Sequence, residues 1–144
     1  MTFGLIQENQ YILRLERGEE VIATLKAFCM EHGIKNASVS GIGSIETPTL
    51  AHYRVDTKKY SEKKLEGIYE VTSLLGTVAI FEGQPLLHLH MTLGDENMQA
   101  FAGHLVSGTV SATLEVMMTV LPSAFEKKHS EEIGLKLYDF KEKE

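Results

Sequence analysis

Residues 84–105, QPLLHLHMTLGDENMQAFAGHL, contain three of the six histidines of the chain. Within 86–93, apolar residues occupy every odd position, whereas His88 and His90 occupy even positions. This period-two alternation predicts a half-buried β-strand with both histidines on one face. Cα atoms two residues apart on a strand lie roughly 6.5 Å from each other, so two imidazoles can bind one cation through N–metal bonds of about 2.0 to 2.1 Å.

A third histidine follows this predicted strand after a turn. Gly94 and the three polar residues that follow it indicate the turn, and the chain then returns through His104. A returning strand can place His104 beside the pair. Three neutral histidines with an open fourth position are typical of catalytic zinc sites, whereas structural zinc sites often use several cysteines. The alternative is that His88 and His90 are polar residues of an ordinary strand face, and that His104 is unrelated.

The length and composition of the chain favour a single cytoplasmic domain. With 144 residues, 43% of them hydrophobic, the chain is long enough for one well-packed domain and short for two. The formal net charge of −6 opposes nonspecific attraction to nucleic acid or anionic membranes. The sequence has no long apolar run and no signal-peptide pattern. The single cysteine, Cys29, excludes an intramolecular disulfide and is interpreted as a buried packing residue.

The remaining residues predict several strands and one amphipathic helix. Val21, Leu25 and Cys29 recur at helical spacing up to a glycine cap at Gly33. We expect one domain over residues 1–144, with its core at about 8–121 and a polar C-terminal extension at 122–144. Runs rich in β-forming residues predict strands at 8–16, 37–40, 49–55, 59–65, 69–81, 86–93, 110–121 and 135–140.

Three other polar residues were candidates for a site. His52 lies in a predicted hairpin without a second histidine, and we interpret it as a solvated or tyrosine-packed strand residue. His129 lies in the polar stretch 123–134, which we expect to be a mobile, solvent-exposed loop. Glu115 interrupts an apolar strand; such a carboxylate is usually a surface residue, yet it can also lie near the histidines as a proton carrier.

Four sequence blocks, taken together, resemble one known family. They are RLERGEEVIATLKAFCMEHGIKNASVSGIGSI (14–45), YEVTSLLGTVA (69–79), PLLHLHMTL (85–93) and AGHL (102–105). In this order they resemble the PPC domain family, also called DUF296, the plant and prokaryote conserved domain, from about Tyr11 to Leu121. The sequence has no AT-hook of the RGRP type, which precedes the domain in plants, so it looks like the stand-alone prokaryotic form.

This resemblance implies a fold, an assembly and a metal site. The fold is α+β, a strongly twisted antiparallel sheet or partial barrel with one main helix, assembled as a homotrimer. The resemblance also implies that His88, His90 and His104 bind zinc or another divalent metal. The fold is similar to that of acetolactate decarboxylase, whose metal is held by three histidines that include an HxH pair. That likeness is an analogy between folds and does not transfer a reaction.

Two functions remain open at this point. In the first, the chain is a binding module in which the metal stabilises the trimer or carries a small-molecule ligand. In the second, it is a metal-dependent lyase or hydrolase acting on a small oxo acid, with Glu115 or Glu70 as the proton carrier. Family members are often described as DNA-binding proteins. Scattered lysines beside carboxylates, without a basic arm, give little support for DNA binding by the isolated domain.

Overall fold

The computed structural model describes residues 1–140, which form nine strands and one helix. The helix, α1, spans Val21–Glu31. The strands are β1 (Thr2–Gln7), β2 (Gln10–Glu16), β3 (Ala37–Arg54), β4 (Lys59–Lys64), β5 (Ile68–Phe81), β6 (Gln84–Gly94), β7 (Ala100–Val120), β8 (Lys127–Ser130) and β9 (Leu135–Tyr138). The predicted α+β class with one main helix is confirmed.

Helix α1 begins at a capping carboxylate and buries one face. The side chain of Glu20 accepts a hydrogen bond from the Ala23 backbone N–H at 2.6 Å, which satisfies one of the free donors of the first turn. The helix ends at His32, and Gly33 follows with a φ of +64°. The helix packs against β6 and β7 through its buried residues, which are Val21, Leu25, Phe28 and Cys29. Burial raises the pKa of the Cys29 thiol to about 11, in agreement with its interpretation as a packing residue.

Seven strands form one antiparallel sheet in the order β1-β2-β7-β6-β5-β3-β4. Strand β7 also pairs with β3, because its first residues pair with β6 while most of its length runs beside β3. The four strands β3, β5, β6 and β7 therefore close partly into a ring, without forming a complete barrel. A separate two-stranded hairpin, β8–β9, follows the sheet. Within residues 1–140, no helix is long and apolar enough to span a membrane.

Strand β3 is longer than predicted because the Gly41-Ile42-Gly43 motif does not end it. The register of β3 against β5 shifts between Gly41 and Gly43, as expected for a β-bulge, and the strand continues to Arg54. A Cβ atom at Gly43 would clash with the backbone carbonyl oxygen of Thr113 on β7. The two glycines thus allow close approach of β7 rather than a break in the strand.

The hydrophobic core lies between α1 and the inner face of the sheet. Leu89, Met91 and Leu93 on β6 are almost fully buried, which confirms the alternation predicted for this strand. Their even-numbered neighbours therefore face outward. The other large side chains that are fully buried are Leu13, Leu15, Leu25, Phe28, Ile45, Leu74, Leu105, Leu114 and Met118.

Candidate metal centre

Three histidines from two paired strands converge on the outer face of the sheet. His90 on β6 lies directly opposite His104 on β7, and His88 lies two residues before His90 on the same face. One ring nitrogen of each histidine lies within 4.8 Å of the corresponding atoms of the other two. Because a tetrahedral ion with N–metal bonds of 2.0 to 2.1 Å separates its ligand atoms by about 3.3 Å, this cluster has the size of a zinc site.

A glycine on β5 fixes the backbone of the histidine pair. Gly76 stands between Leu75, the partner of His90, and Thr77, the partner of His88. A Cβ atom at Gly76 would clash with the carbonyl oxygen of His88. Only a residue without a side chain therefore allows the close approach of β5 and β6 that orients both imidazoles.

The environment of His88 and His104 favours the neutral form of their imidazoles. Burial, the charge of Lys127 and the two neighbouring imidazoles together lower the pKa of His88 to about 4. Burial also lowers the pKa of His104, with a smaller contribution from His90. A neutral imidazole offers a nitrogen lone pair, which is the form that binds a metal ion.

The atoms present fit a divalent metal. The Nε2 atoms of His88 and His90 lie 3.3 Å apart, a separation that suits either a shared hydrogen bond or two lone pairs directed at one ion. The Nδ1 atom of His104 is buried without a hydrogen-bond partner among residues 1–140. Three imidazole donors with no thiolate suit zinc better than calcium or magnesium, which prefer oxygen ligands.

Two of the three histidines, His88 and His104, line one side of a cavity of about 670 Å³. We call His88, His90 and His104 with their strands the histidine floor. Opposite it, residues 127–138 of the β8–β9 hairpin form a second side, which we call the hairpin wall. The cavity is lined by Tyr60, Thr77, Leu86, Leu87, His88, His104, Lys127, His129 and the residues from Gly134 to Tyr138.

The sequence model of the Plants and Prokaryotes Conserved (PCC) domain matches residues 6–122, most of the chain. The chain belongs to this family. The matched range contains the whole histidine floor and ends before the hairpin wall. It agrees with the resemblance found in the sequence blocks, since PPC and PCC denote the same conserved domain.

Solved structures are similar to this PCC domain over nearly its whole length. A protein of Bacteroides thetaiotaomicron, described as a candidate DNA-binding protein, shares 32% identity with a TM-score of 0.93, over 96% of both chains. A PPC protein of Pyrococcus horikoshii shares 33% identity with a TM-score of 0.86, over 98% of this chain and 96% of that one. A metal-containing protein of Archaeoglobus fulgidus shares 28% identity with a TM-score of 0.86, over 97% and 99%. No curated protein matches the chain.

The two carboxylates predicted as proton carriers lie away from the histidine floor. Glu115 lies on β7, eleven residues after His104 on the same strand, where it is exposed and pairs with Ile42 of β3. Glu70 is exposed on β5 and pairs with Gly94, four residues or roughly 13 Å along β6 from His90. Their role as proton carriers stays a prediction. Among residues 1–140, the side chains that line the cavity of this PCC domain do not include either carboxylate.

The other two histidines considered from the sequence have different positions. His52 is exposed on β3, outside the cluster, as predicted. His129 was predicted to lie in a mobile loop, and this was wrong, because Lys127–Ser130 form β8 and pair with β9. His129 lines the cavity, and its Nε2 lies 3.6 Å from the Glu131 carboxylate.

Sequence analysis missed two residues that line the cavity of this PCC domain. The ring of Tyr60 on β4 lies 5.3 Å from that of His104, and burial raises the pKa of its phenol. Lys127 is only 7% exposed although lysine is rarely buried. A signal was present for the hairpin that contains Lys127: the alternation of Leu135 and Leu137 after Gly134 is typical of the second strand of a hairpin.

Proposed function

We propose that this PCC domain binds one divalent metal ion, zinc, through His88, His90 and His104. The observation that supports this most strongly is the convergence of three imidazole nitrogens within 4.8 Å of one another. The metal-containing protein of Archaeoglobus fulgidus, which is similar over nearly the whole chain, adds support. When bound, the ion would supply a Lewis acid beside the cavity that His88 and His104 line.

Metal analysis of purified protein tests this proposal. We expect about one zinc per chain after zinc addition and dialysis, and a loss of most of it in the variants His88→Ala and His90→Ala. His52→Ala is the matched control, because it removes an exposed histidine of the same sheet. Trace metal in the wild-type protein after zinc addition, or an equal loss in His52→Ala, contradicts the proposal.

We also propose that the chain assembles as a homotrimer. Four apolar side chains are exposed around one shallow depression of the outer sheet face: Ile12 (42%), Ile42 (61%), Leu75 (58%) and Met117 (39%). An apolar patch of this kind on a small domain is typical of a protein interface. Light scattering should report about 48 kDa, three times the 16.0 kDa of one chain.

A charged substitution in this apolar patch tests whether the chain forms a trimer. Ile42→Glu should reduce the measured mass towards that of one chain, because it places a carboxylate in the apolar interface. Met98→Glu, at a turn residue that is 89% exposed, should leave the mass unchanged. A wild-type protein that is monomeric at micromolar concentration contradicts the assembly.

The cavity supports a second candidate function, a metal-dependent lyase or hydrolase acting on a small oxo acid. A structural zinc site usually fills all four positions with protein ligands, whereas His88 and His104 line a cavity large enough for a small molecule. Tyr60 is the ionisable group beside His104, and Glu115 or Glu70 would need another chain to reach the cavity. Release of CO2 from 2-acetolactate by zinc-loaded protein, above a His90→Ala blank, tests decarboxylation. Release equal to the blank counts against it.

We propose that the isolated domain does not recognise DNA and that it works in the cytoplasm. Lys64 and Lys128 are each paired with a carboxylate, Glu66 and Asp139, so the basic clusters are partly neutralised. The formal net charge of −6 opposes attraction to phosphates. A chain with one cysteine has no need of an oxidising compartment, which agrees with a cytoplasmic location.

A further inference from the structure

The hairpin wall lies outside residues 6–122, yet it faces the metal ligands. The family model ends before residue 127, whereas Lys127, His129 and the residues from Gly134 to Tyr138 line the same cavity as His88 and His104. The shared part of the fold therefore supplies the histidine floor, and the C-terminal segment supplies much of what surrounds a ligand. The specificity of the cavity depends in large part on this segment.

Hydrogen bonds fix the hairpin wall at both ends. At its base, the buried Asn36 side chain accepts from the Phe125 N–H at 2.6 Å and donates to the Phe125 carbonyl at 3.1 Å. Near its turn, the Tyr53 hydroxyl donates to the Ile133 carbonyl at 2.6 Å, and Lys58 Nζ donates to the Glu131 carbonyl at 2.6 Å. Groups on this wall are thus held in defined positions relative to the floor.

Lys127 is a buried cation without an anionic partner. Its side chain lines the cavity, is 7% exposed, and places Nζ 4.7 Å from the centroid of the Tyr138 ring. Among the residues that the structure describes, no carboxylate forms an ion pair with it. Burial of an ammonium group without an anion is unfavourable, so a negative ligand beside it would be stabilised.

Lys128, the next residue on β8, differs from Lys127 in its exposure and its partner. Lys128 points to the other side of the hairpin, its side chain is 70% exposed, and its ammonium is paired with Asp139. The side chain of Lys127, by contrast, lines the same cavity as His88 and His104. The two lysines therefore differ in position and partner while they share residue type and strand.

We propose that Lys127 binds the carboxylate of a small organic acid held in the cavity, with the hydrocarbon part of the acid against Leu86, Leu87 and Leu135. This inference rests on the proposed metal site in one respect: an ion held by His88, His90 and His104 would bind a second oxygen of the same ligand, as in a 2-oxo acid. A cavity of about 670 Å³ in which leucine side chains lie beside cationic and other polar groups suits an organic acid of this size and character. No covalent step is implied.

Calorimetric titration of zinc-loaded protein with 4-methyl-2-oxopentanoate tests the role of Lys127. We expect Lys127→Met, which keeps the length and removes the charge, to raise the Kd at least about tenfold. Lys127→Arg should keep most of the affinity, and Lys128→Met should stay within about twofold of the wild type. The uncharged analogue 4-methyl-2-pentanone should bind wild type and Lys127→Met equally. Equal affinity of the acid for wild type and Lys127→Met overturns the inference, as does no binding at about 10 mM acid.

Two further measurements separate this inference from the metal proposal. Zinc content should be unchanged in Lys127→Met, because the variant removes no metal ligand. If the wild type takes up no zinc, the metal proposal fails, and 4-methylpentanoate, which lacks the oxo group, still tests the lysine. Weaker binding of that acid to Lys127→Met supports the anion site without metal, and equal binding overturns it. A melting curve for each variant checks that the fold is intact.

Discussion

The histidine floor and the hairpin wall face each other across one cavity but are built in different ways. The floor belongs to long strands that pair on both sides, and Leu89 and Met91 anchor it in the core. The wall is a two-stranded hairpin of short strands, fixed to the domain by a few side-chain hydrogen bonds. A metal site needs rigid ligands, which the floor provides. A surface that selects ligands tolerates sequence change more easily than a metal site does. The hairpin wall lies beyond residue 122, where the match to the family model ends.

The largest expected effect comes from disturbing the floor at Gly76. In Gly76→Ala the new methyl group meets the His88 carbonyl, so β5 and β6 must separate. We expect a loss of about 2 to 3 kcal/mol in the free energy of unfolding, together with reduced zinc content. Gly4→Ala is the control, since its methyl would find only an ordinary contact with Ile12 at 3.5 Å. Urea unfolding of both variants checks this, and equal stabilities would show that the strands are not tightly apposed.

A smaller effect is expected from loosening the wall. Tyr53→Phe removes the hydrogen bond to the Ile133 carbonyl and should cost about 1 kcal/mol. Hydrogen exchange should become faster in β8 and β9 while β6 keeps its protection, and the zinc content should not change. Tyr69→Phe removes a comparable bond to the Glu66 carbonyl on the sheet and should leave the hairpin untouched. Faster exchange in β6 of the Tyr53 variant would mean that floor and wall open together.

The low pKa of His88 predicts how the metal-free protein responds to acid. Above pH 6.5 the histidine is neutral in both the folded and the unfolded chain. Below that pH the unfolded chain takes up a proton at His88, while the folded protein does so only near its pKa of about 4. Stability should therefore fall between pH 6.5 and about 4, and His88→Asn should flatten this decline. Melting temperatures measured in the presence of a chelator test this prediction, and an unchanged slope in His88→Asn would contradict the lowered pKa of this ring.

The smallest expected effect is the binding of duplex DNA, because neither the histidine floor nor the hairpin wall presents a strongly basic surface. We expect duplex affinity no tighter than roughly 10⁻⁴ to 10⁻⁶ M at physiological salt, the range of nonspecific association. The alternative is that trimerisation gathers the lysines of three β3–β4 hairpins on one face. Fluorescence anisotropy at about 150 mM salt distinguishes the two. A sequence-dependent nanomolar transition would refute our view.

The sequence predicted the floor better than the wall, for physical reasons. Alternation within β6 puts His88 and His90 on one face whatever strand lies beside it, so local pattern was sufficient. Placing His104 opposite His90 required the register of β7, which the sequence blocks of the family supplied and periodicity alone did not. Glu115 was ambiguous for the same reason: its distance from the histidines depends on the order of the strands.

The strand predicted at 135–140 is confirmed as β9, whereas the β8 half of the wall was mispredicted because its structure depends on distant contacts. Residues 123–134 are polar, and the polarity suggested a mobile loop. Asn36 and Tyr53, far away in sequence, supply the hydrogen bonds that order this segment. Lys127 resembles any surface lysine in sequence, and only the packing of β8 over the histidine floor makes it a buried cation.

The most direct test of the account is the X-ray absorption spectrum of zinc-loaded protein at the zinc edge. The account predicts three imidazole nitrogens at about 2.0 to 2.1 Å and a light-atom ligand in the remaining position, with no sulfur. Addition of 4-methyl-2-oxopentanoate should change the light-atom shell in the wild type and in Lys128→Met, and much less in Lys127→Met. A spectrum with a sulfur ligand, or with fewer than two imidazoles, would contradict a metal centre built on His88, His90 and His104.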